Sequence, residues 1–320
     1  MISFRFHVVS ITAVFLAIAI GVVVGSTYVD GAVVDGLRNR ISTVSSNLDE
    51  RQRESDALRR ELSDAEDYIA ASADFAVTGR LTDVPVLLLA VRGVDEEAVA
   101  EVARLARRAG GAIPGVVWLE PAWAAEGDHQ ALADIVDLDE SVSAEVLWRA
   151  AWTEVAAELQ PPSLPQPPTD EPVAVEPPAP VLVALAEAGF LSLEPVEDSD
   201  TTLVDLAASS PRVAVLGGTE ADESLAGLVR IVASTALGAD LPVVIGHLYA
   251  ERDEGPDRAD SARDGLPDDV LDSVALVDDV DDPTGQVTVV LALDAVGDGV
   301  VGHFGLGDGA DGILPTWTSP

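Results

Sequence analysis

The chain begins on an apolar run: Val8 to Val24 is relieved only by Ser10 and Thr12, and the wider window 7–29 carries no Arg, Asp or Glu. As a helix that window rises about 35 Å, against a bilayer hydrocarbon core of roughly 30 Å. Residues 1–29 therefore read as a single transmembrane anchor. A cleaved signal peptide, with Gly25 and Ser26 available to a peptidase, and a buried core helix are the alternatives, although a signal's apolar region is usually about 7–15 residues long. Ala17, Gly21 and Gly25 recur every four residues and put three small side chains on one stripe, where a second helix can pack closely. Glycine and alanine are also common in membrane helices without any such contact.

Beyond Asp30 the pattern changes to heptads. With Val34 at an a position, the a/d series is Val34, Leu37, Ile41, Val44, Leu48, Arg51, Ser55, Leu58, Leu62, Ala65 and Ile69, apolar at all but Arg51 and Ser55. A 3.5-residue repeat asks for a left-handed supercoil with a partner helix. Residues 30–78 are thus expected to form a parallel coiled coil, as a homodimer or small homo-oligomer, in which Arg51 and Ser55 weaken the seam and fix its register. A helix packed against its own globular domain is the alternative.

From Gly79 and the Val84-Pro85 step onward, strand and helix patterns alternate. Val86–Val91 (VLLLAV) reads as a strand buried on both faces. Residues 95–109 read as a helix with Asp95, Glu96 and Glu97 in its first turn, Arg104, Arg107 and Arg108 in its last, and Gly110-Gly111 as the stop. A strand near Val116–Leu119 follows, then helices at 129–136 and 143–159, the latter placing Trp148 and Trp152 one turn apart. Between Pro161 and Pro180 nine of twenty residues are proline, which forbids helix and central strand. Val181–Phe190 resumes a helix, followed by strands at Val213–Leu216 and Val243–Ile245 with a helix at 221–237 between them. An acidic loop (Glu251–Asp272), a strand near Ser273–Val277 and a helix at 284–294 complete the rhythm. The expected fold is α/β: one transmembrane helix, a parallel coiled-coil stalk, and a Rossmann-like doubly wound parallel sheet whose halves, 79–160 and 181–320, are separated by a flexible Pro-rich loop at 161–180.

Charge narrows the partners. The formal net charge is −38, from 18 basic residues, all of them Arg, against 56 acidic ones. Such a surface repels phosphate backbones, so nucleic acid is not an expected partner. Cysteine is absent and Met1 is the only thioether, so soft-metal chemistry must do without sulfur from this chain.

No motif rises to a catalytic constellation. Gly297 to Gly302 satisfies the letters GxGxxG, but a helix rather than a strand precedes it, which is the wrong context for a dinucleotide site; the glycines from Gly297 to Gly312 read as an irregular terminal loop. Gly217-Gly218 does follow a strand and precede a helix, yet Glu220, Asp222 and Glu223 would repel a phosphate there. His7, His129, His247 and His303 are scattered; His247 and His303 are readable as lining a cleft with nearby acids, or more simply as satisfied loop histidines. Asp278, Asp279, Asp281 and Asp282 lack the glycine-centred loop of an EF-hand and read as solvated loop carboxylates. No catalytic residue, metal ligand set or cofactor is expected, and the chain does not read as an enzyme.

The opening MISFRFHVVSITAVFLAIAIGVVVGS, the strand PVLLLA, the segment VALVDDVDDPTGQVTVVLAL and the terminal GHFGLGDGADGILP together resemble the actinobacterial MctB family of copper-transport proteins. The resemblance covers most of the chain and implies an envelope-associated protein linked to copper homeostasis, with an outer-membrane pore among its proposed forms. It also looks like SteB, a partner of the membrane protein SteA in cell-wall hydrolysis and cell separation. The residues weigh these implications unequally. Copper(I) favours thiolate and thioether ligands, and a pore needs several spanning helices or a closed barrel. The expectation is therefore a single-pass, self-associating, non-enzymatic membrane protein with its soluble domain outside the cytoplasm, implicated in copper homeostasis by resemblance. A SteB-like scaffold with a SteA-like partner and a small-molecule-binding module are the alternatives. Orientation is the least determined feature, because Arg5 on one side of the span faces Arg38 and Arg40 on the other.

Overall fold

The computed structural model describes residues 4–139, 141–161, 180–197, 199–219, 225–249, 266–307 and 309–316, with the backbone alone over 26–34 and at 126 and 226. The expected Pro-rich loop (save its end residues 161 and 180), the acidic stretch up to residue 265, and Glu220, Asp222 and Glu223 lie outside the described residues. Two compact units divide the chain, Met1–Ala65 and Glu66–Pro320.

The first unit is helix throughout its described length, part of the element α1 (Phe4–Val77). Its stretch Phe4–Gly25 is long and apolar enough to cross a membrane, and none of it is buried within the chain. Thr12 interrupts the apolar run at little cost, because its hydroxyl donates to the Val8 carbonyl one turn back at 2.9 Å and so presents no unsatisfied donor to lipid. From Leu37 to Ala65 the apolar heptad positions are likewise exposed.

The second unit is built on seven strands in the order β3-β2-β1-β4-β5-β6-β7. These are β1 (Val86–Val91), β2 (Gly115–Leu119), β3 (Leu191–Pro195), β4 (Arg212–Gly218), β5 (Val243–Leu248), β6 (Ala275–Val277) and β7 (Gly302–Phe304). Every pairing is parallel except β2 with β3. Buried apolar residues form two layers, one on each face of the sheet. Leu87, Leu89 and Val91 of β1 point into the layer roofed by α3 (His129–Ile135), α4 (Ala144–Leu159), α5 (Val181–Glu187) and α6 (Ala226–Gly238). Val86, Leu88 and Ala90 point into the other, covered by α2 (Glu96–Arg108), the long helix before β7, and the last turns of α1, where Ile69, Ala73, Ala76 and Val77 pack.

Local chemistry sets these elements as the pattern requires. The Asp95 carboxylate caps α2 by accepting the amides of Glu97 (2.9 Å) and Ala98 (3.2 Å). At the other end Gly110 takes φ +95°, its amide reaches the Arg107 carbonyl and the Gly111 amide reaches that of Ala106, both at 3.0 Å. That is a Schellman ending, which needs a residue free to enter the left-handed region. Arg104 and Arg108 in the last turn of α2 pair with Asp74 of α1 at 2.8 and 3.2 Å, docking the end of α1 on this layer.

The structure corrects the expected elements in three places, two of them in the sheet. β3 was not anticipated and runs antiparallel. The chain leaves α5 at the end of the sheet where β2 finishes, the Glu120 amide bonding to the Phe190 carbonyl at 3.1 Å, so a strand starting there has only the reverse direction open to it. The loop expected across the terminal glycines contains β7, which pairs with β6 from Ala275↔Gly302 to Val277↔Phe304. The acidic loop expected up to Asp272 contains one helical turn, α7 (Asp268–Leu271), ahead of α8 (Pro283–Val296), the long helix noted above. With those corrections the architecture is a mixed α/β unit with a mostly parallel sheet, alongside one N-terminal apolar helix.

Asp95→Ala removes the α2 cap and is expected to destabilise the second unit by about 1 kcal/mol. All five tryptophans follow residue 65, so denaturant unfolding of the whole chain followed by tryptophan fluorescence reads that unit alone; an unchanged midpoint would show the cap to be unimportant.

Candidate functional site

In open α/β sheets ligands sit at the carboxyl ends of the strands, and here that edge gathers two polar clusters. The first closes β6 and β7. Apolar β6 delivers Asp278 into the interior, and the chain then turns through Asp279 at φ +53° to Asp282, the residue preceding Pro283 at the start of α8. Asp278 is fully buried. Its Oδ1 accepts the Leu306 amide at 2.9 Å, and its Oδ2 accepts His303 Nε2 at 2.9 Å and the Gly307 amide at 3.1 Å. The backbone can wrap a carboxylate this closely only without a side chain at Gly305, where φ is +138° and a Cβ would stand 1.5 Å from Asp278 Oδ1. The His303 amide donates to Asp311 Oδ2 at 2.9 Å and its carbonyl accepts the Asp311 amide at 2.7 Å, pinning the following segment to β7.

Burial pushes the Asp278 carboxyl up, but hydrogen bonds from His303 and Asp279, the His303 charge and the Leu306 amide outweigh it and hold the group below its ordinary range. Asp278 is thus a carboxylate at neutral pH, so His303 Nε2 carries the shared proton. The other ring nitrogen, Nδ1, is buried without a hydrogen-bond partner.

The second cluster joins β1, β2 and β3. Arg92, just past β1, donates to Glu120 Oε1 at 2.7 Å, to Glu96 at 2.9 Å and to the Ser192 hydroxyl at 3.0 Å, while that hydroxyl donates to Glu120. The guanidinium also lies 4.3 Å from the Trp118 ring centroid, and the Trp118 indole N–H donates to Glu194 at 2.8 Å. Burial raises the Glu120 carboxyl, yet the bonds from Arg92 and Ser192 bring it below its usual value. The arrangement is a closed network that ties the antiparallel edge strand to its neighbours.

The expected site residues fall elsewhere. Ala17, Gly21 and Gly25 lie exposed along α1, and a Cβ on Gly21 or Gly25 would meet no atom within 4 Å. Leu37, Ile41, Val44, Leu48, Leu58, Leu62 and Ala65 are exposed, Ile69 is half-buried against the core of its own unit, and the Val34 side chain lies outside the described residues. Asp278 and Asp279 are buried, not solvated loop carboxylates, and His303 is a buried strand residue rather than a loop histidine. Their pairing was not visible because 25 residues separate them and only the sheet register brings them together. His247, near the end of β5, packs its ring against Tyr249 in a tilted arrangement, with centroids 4.7 Å apart. Among the described residues no three His, Asp or Glu side chains converge to hold a metal ion.

The segments that meet in the Asp278–His303 cluster are two of those that carry the family resemblance, and comparison with known proteins agrees with it. A family model described as "Copper transport outer membrane protein, MctB" matches residues 1–315. Proteins named copper transporter MctB from Mycobacterium tuberculosis and Mycobacterium bovis are each 29% identical over 322 residues, covering 97% of this chain and 98% of theirs. One from Mycobacterium leprae is 25% identical over 329 residues, covering 98% and 99%.

Because Asp278 is more acidic in the folded chain than in the unfolded one, its contribution to stability is complete above about pH 4, the unfolded value, and is lost as pH falls through the lower native value. Asp278→Asn should lose about 2 kcal/mol at pH 7 and flatten the acid limb of a stability–pH curve. Equal steepness in the variant and the parent would mean that another group sets that limb.

Proposed function

The chain belongs to the MctB family, and on that premise we propose that it is a single-pass membrane protein of the cell envelope that acts in copper homeostasis by self-association and binding, without catalytic activity and without conducting copper itself. The observation that carries the reading is the continuity of an apolar membrane-length helix with a heptad stripe that one copy leaves uncovered. The two features ask for different surroundings, lipid for the first and another helix for the second.

Copper is here a cargo to be weighed against donors. The chain has no Cys and one Met, its described His, Asp and Glu residues form no set of three, and the one helix among the described residues that is long enough to span supplies by itself no wall for a pore. Copper(I) is therefore poorly served by this chain alone. The relatives' names attach copper to the family, and a protein that organises other components accommodates both facts.

The finer features belong to the same reading. Of the expected stretch 30–78, the seam up to Ala65 forms a parallel coiled coil, as a homodimer or small homo-oligomer, while Ile69, Ala73 and Val77 pack against their own α/β unit. The α/β unit is Rossmann-like in its strand order and faces the extracytoplasmic side. In the alternative reading, a SteB-like scaffold, its partner is a membrane protein of the SteA kind. The closed polar networks at the carboxyl edge favour a binding surface over a reaction centre, since Asp278 and Arg92 are both engaged internally.

Two measurements test this. Purified full-length protein in sealed vesicles should leave copper uptake at the level of protein-free vesicles, whereas uptake several-fold above it would make the protein the conduit. An alkaline phosphatase fused after Pro320 should be active in cells, and a fluorescent protein at the same place dark; the reverse pair would put the α/β unit in the cytoplasm.

A further inference from the structure

Within the first unit the seam positions Leu37, Ile41, Val44, Leu48, Leu58 and Leu62 of α1 are each between 57% and 63% exposed. We infer that this stripe is covered by a second copy of the chain, parallel and in register, and that the Arg51 and Ser55 layers, with reciprocal Glu54–Arg59 ion pairs between the copies, set that register. The inference rests on the parallel self-association proposed above and adds its alignment and the flanking ion pairs that enforce it.

Direction follows from the anchor. The stretch Phe4–Gly25 and the seam lie on one helix in one unit. Two copies anchored in the same bilayer from the same side present both seams running away from it, which leaves only parallel pairing.

Alignment follows from the two polar layers. In register, Arg51 faces the Arg51 of the other copy, a like-charge layer that lowers stability, Ser55 faces Ser55, and every apolar layer faces an apolar one. A shift of one heptad sets Arg51 against Val44 or Leu58 and Ser55 against Leu48 or Leu62, so a guanidinium is pressed between leucines and valines. An isolated polar layer of this kind lowers stability in exchange for a unique register.

The flanking charges point the same way. With Val34 at a, Glu54 is a g position and Arg59 the e position five residues on, the pair that meets across a parallel two-stranded coil. Two-fold symmetry makes it twice. Among the described residues neither Glu54 nor Arg59 has an ion pair within one chain, whereas Arg38 pairs with Asp35 at 3.7 Å and Arg60 donates to the Asp56 carbonyl at 3.0 Å. A heptad shift would replace Arg59 by Gln52 or Glu66 opposite Glu54, losing the attraction or reversing it. The next g–e step, Glu61 with Glu66, brings like charges together, and Ile69 beyond it packs into its own unit. The seam thus closes shortly after the attractive step.

The chain has no cysteine, so single cysteines introduced into the full-length protein in nanodiscs report alignment without background. Leu48→Cys, and separately Ser55→Cys, should form disulfide-linked dimers under mild oxidation, while a mixture of Leu48→Cys and Ser55→Cys chains, which only a shift of one heptad brings face to face, should give mixed dimers at least tenfold more slowly. Glu54→Arg and Arg59→Glu should each weaken association about tenfold, and the double exchange E54R/R59E should restore it. Dimers that cross-link equally well in the mixed pair, or charge reversals without effect, would overturn the register while leaving self-association standing. Monomers by sedimentation of the unmodified full-length protein would overturn both.

Discussion

The side chains of β1 point alternately into two apolar layers, Leu87, Leu89 and Val91 to one and Val86, Leu88 and Ala90 to the other, and a strand buried on both faces demands helices over both. Everything in the second unit answers that demand. The helices α4 and α6 roof one side, while α2, α8 and the end of α1 roof the other. The first unit has the same kind of apolar surface and no cover for it within one copy. The membrane-length stretch comes first along that helix and the heptad positions follow it.

The carboxyl edge of the sheet shows what is done with the few polar groups taken inside. Asp278 is buried at the cost of desolvation, and three donors converge on it, two of them backbone amides that the glycines at 305 and 307 bring close. A buried charge is tolerable when it is hydrogen-bonded this fully. The carboxylate thereby becomes the fastening of the sheet's last strand. At the opposite flank Arg92 serves the same end, bonding β1 to β2 and β3 through Glu120 and Ser192. Both clusters spend their polar capacity on holding strands together.

Much of this was legible in the residues. The apolar span, the heptads, the α2 boundaries with Asp95 at one end and Gly110 at the other, and the buried character of Val86–Val91 are local patterns, because helix and strand periodicities and caps act over a few residues. The misreadings share a cause as well. Leu191–Pro195 is short, half polar and closed by proline, so nothing local distinguishes it from a loop; its strand character comes from lying beside β2. Asp278 and Asp279 sit in a run of acids that looks solvated, and His303 sits among glycines that look like coil.

The sequence by itself determined that the chain has a membrane-length apolar helix and an α/β unit with buried strands, since each follows from interactions between near neighbours. The tertiary structure alone decided that β3 runs backwards, that β7 exists, and that Asp278 and His303 form one buried pair. Those outcomes depend on which ends of distant elements share an edge of the sheet, and no local rule carries that information across 25 residues.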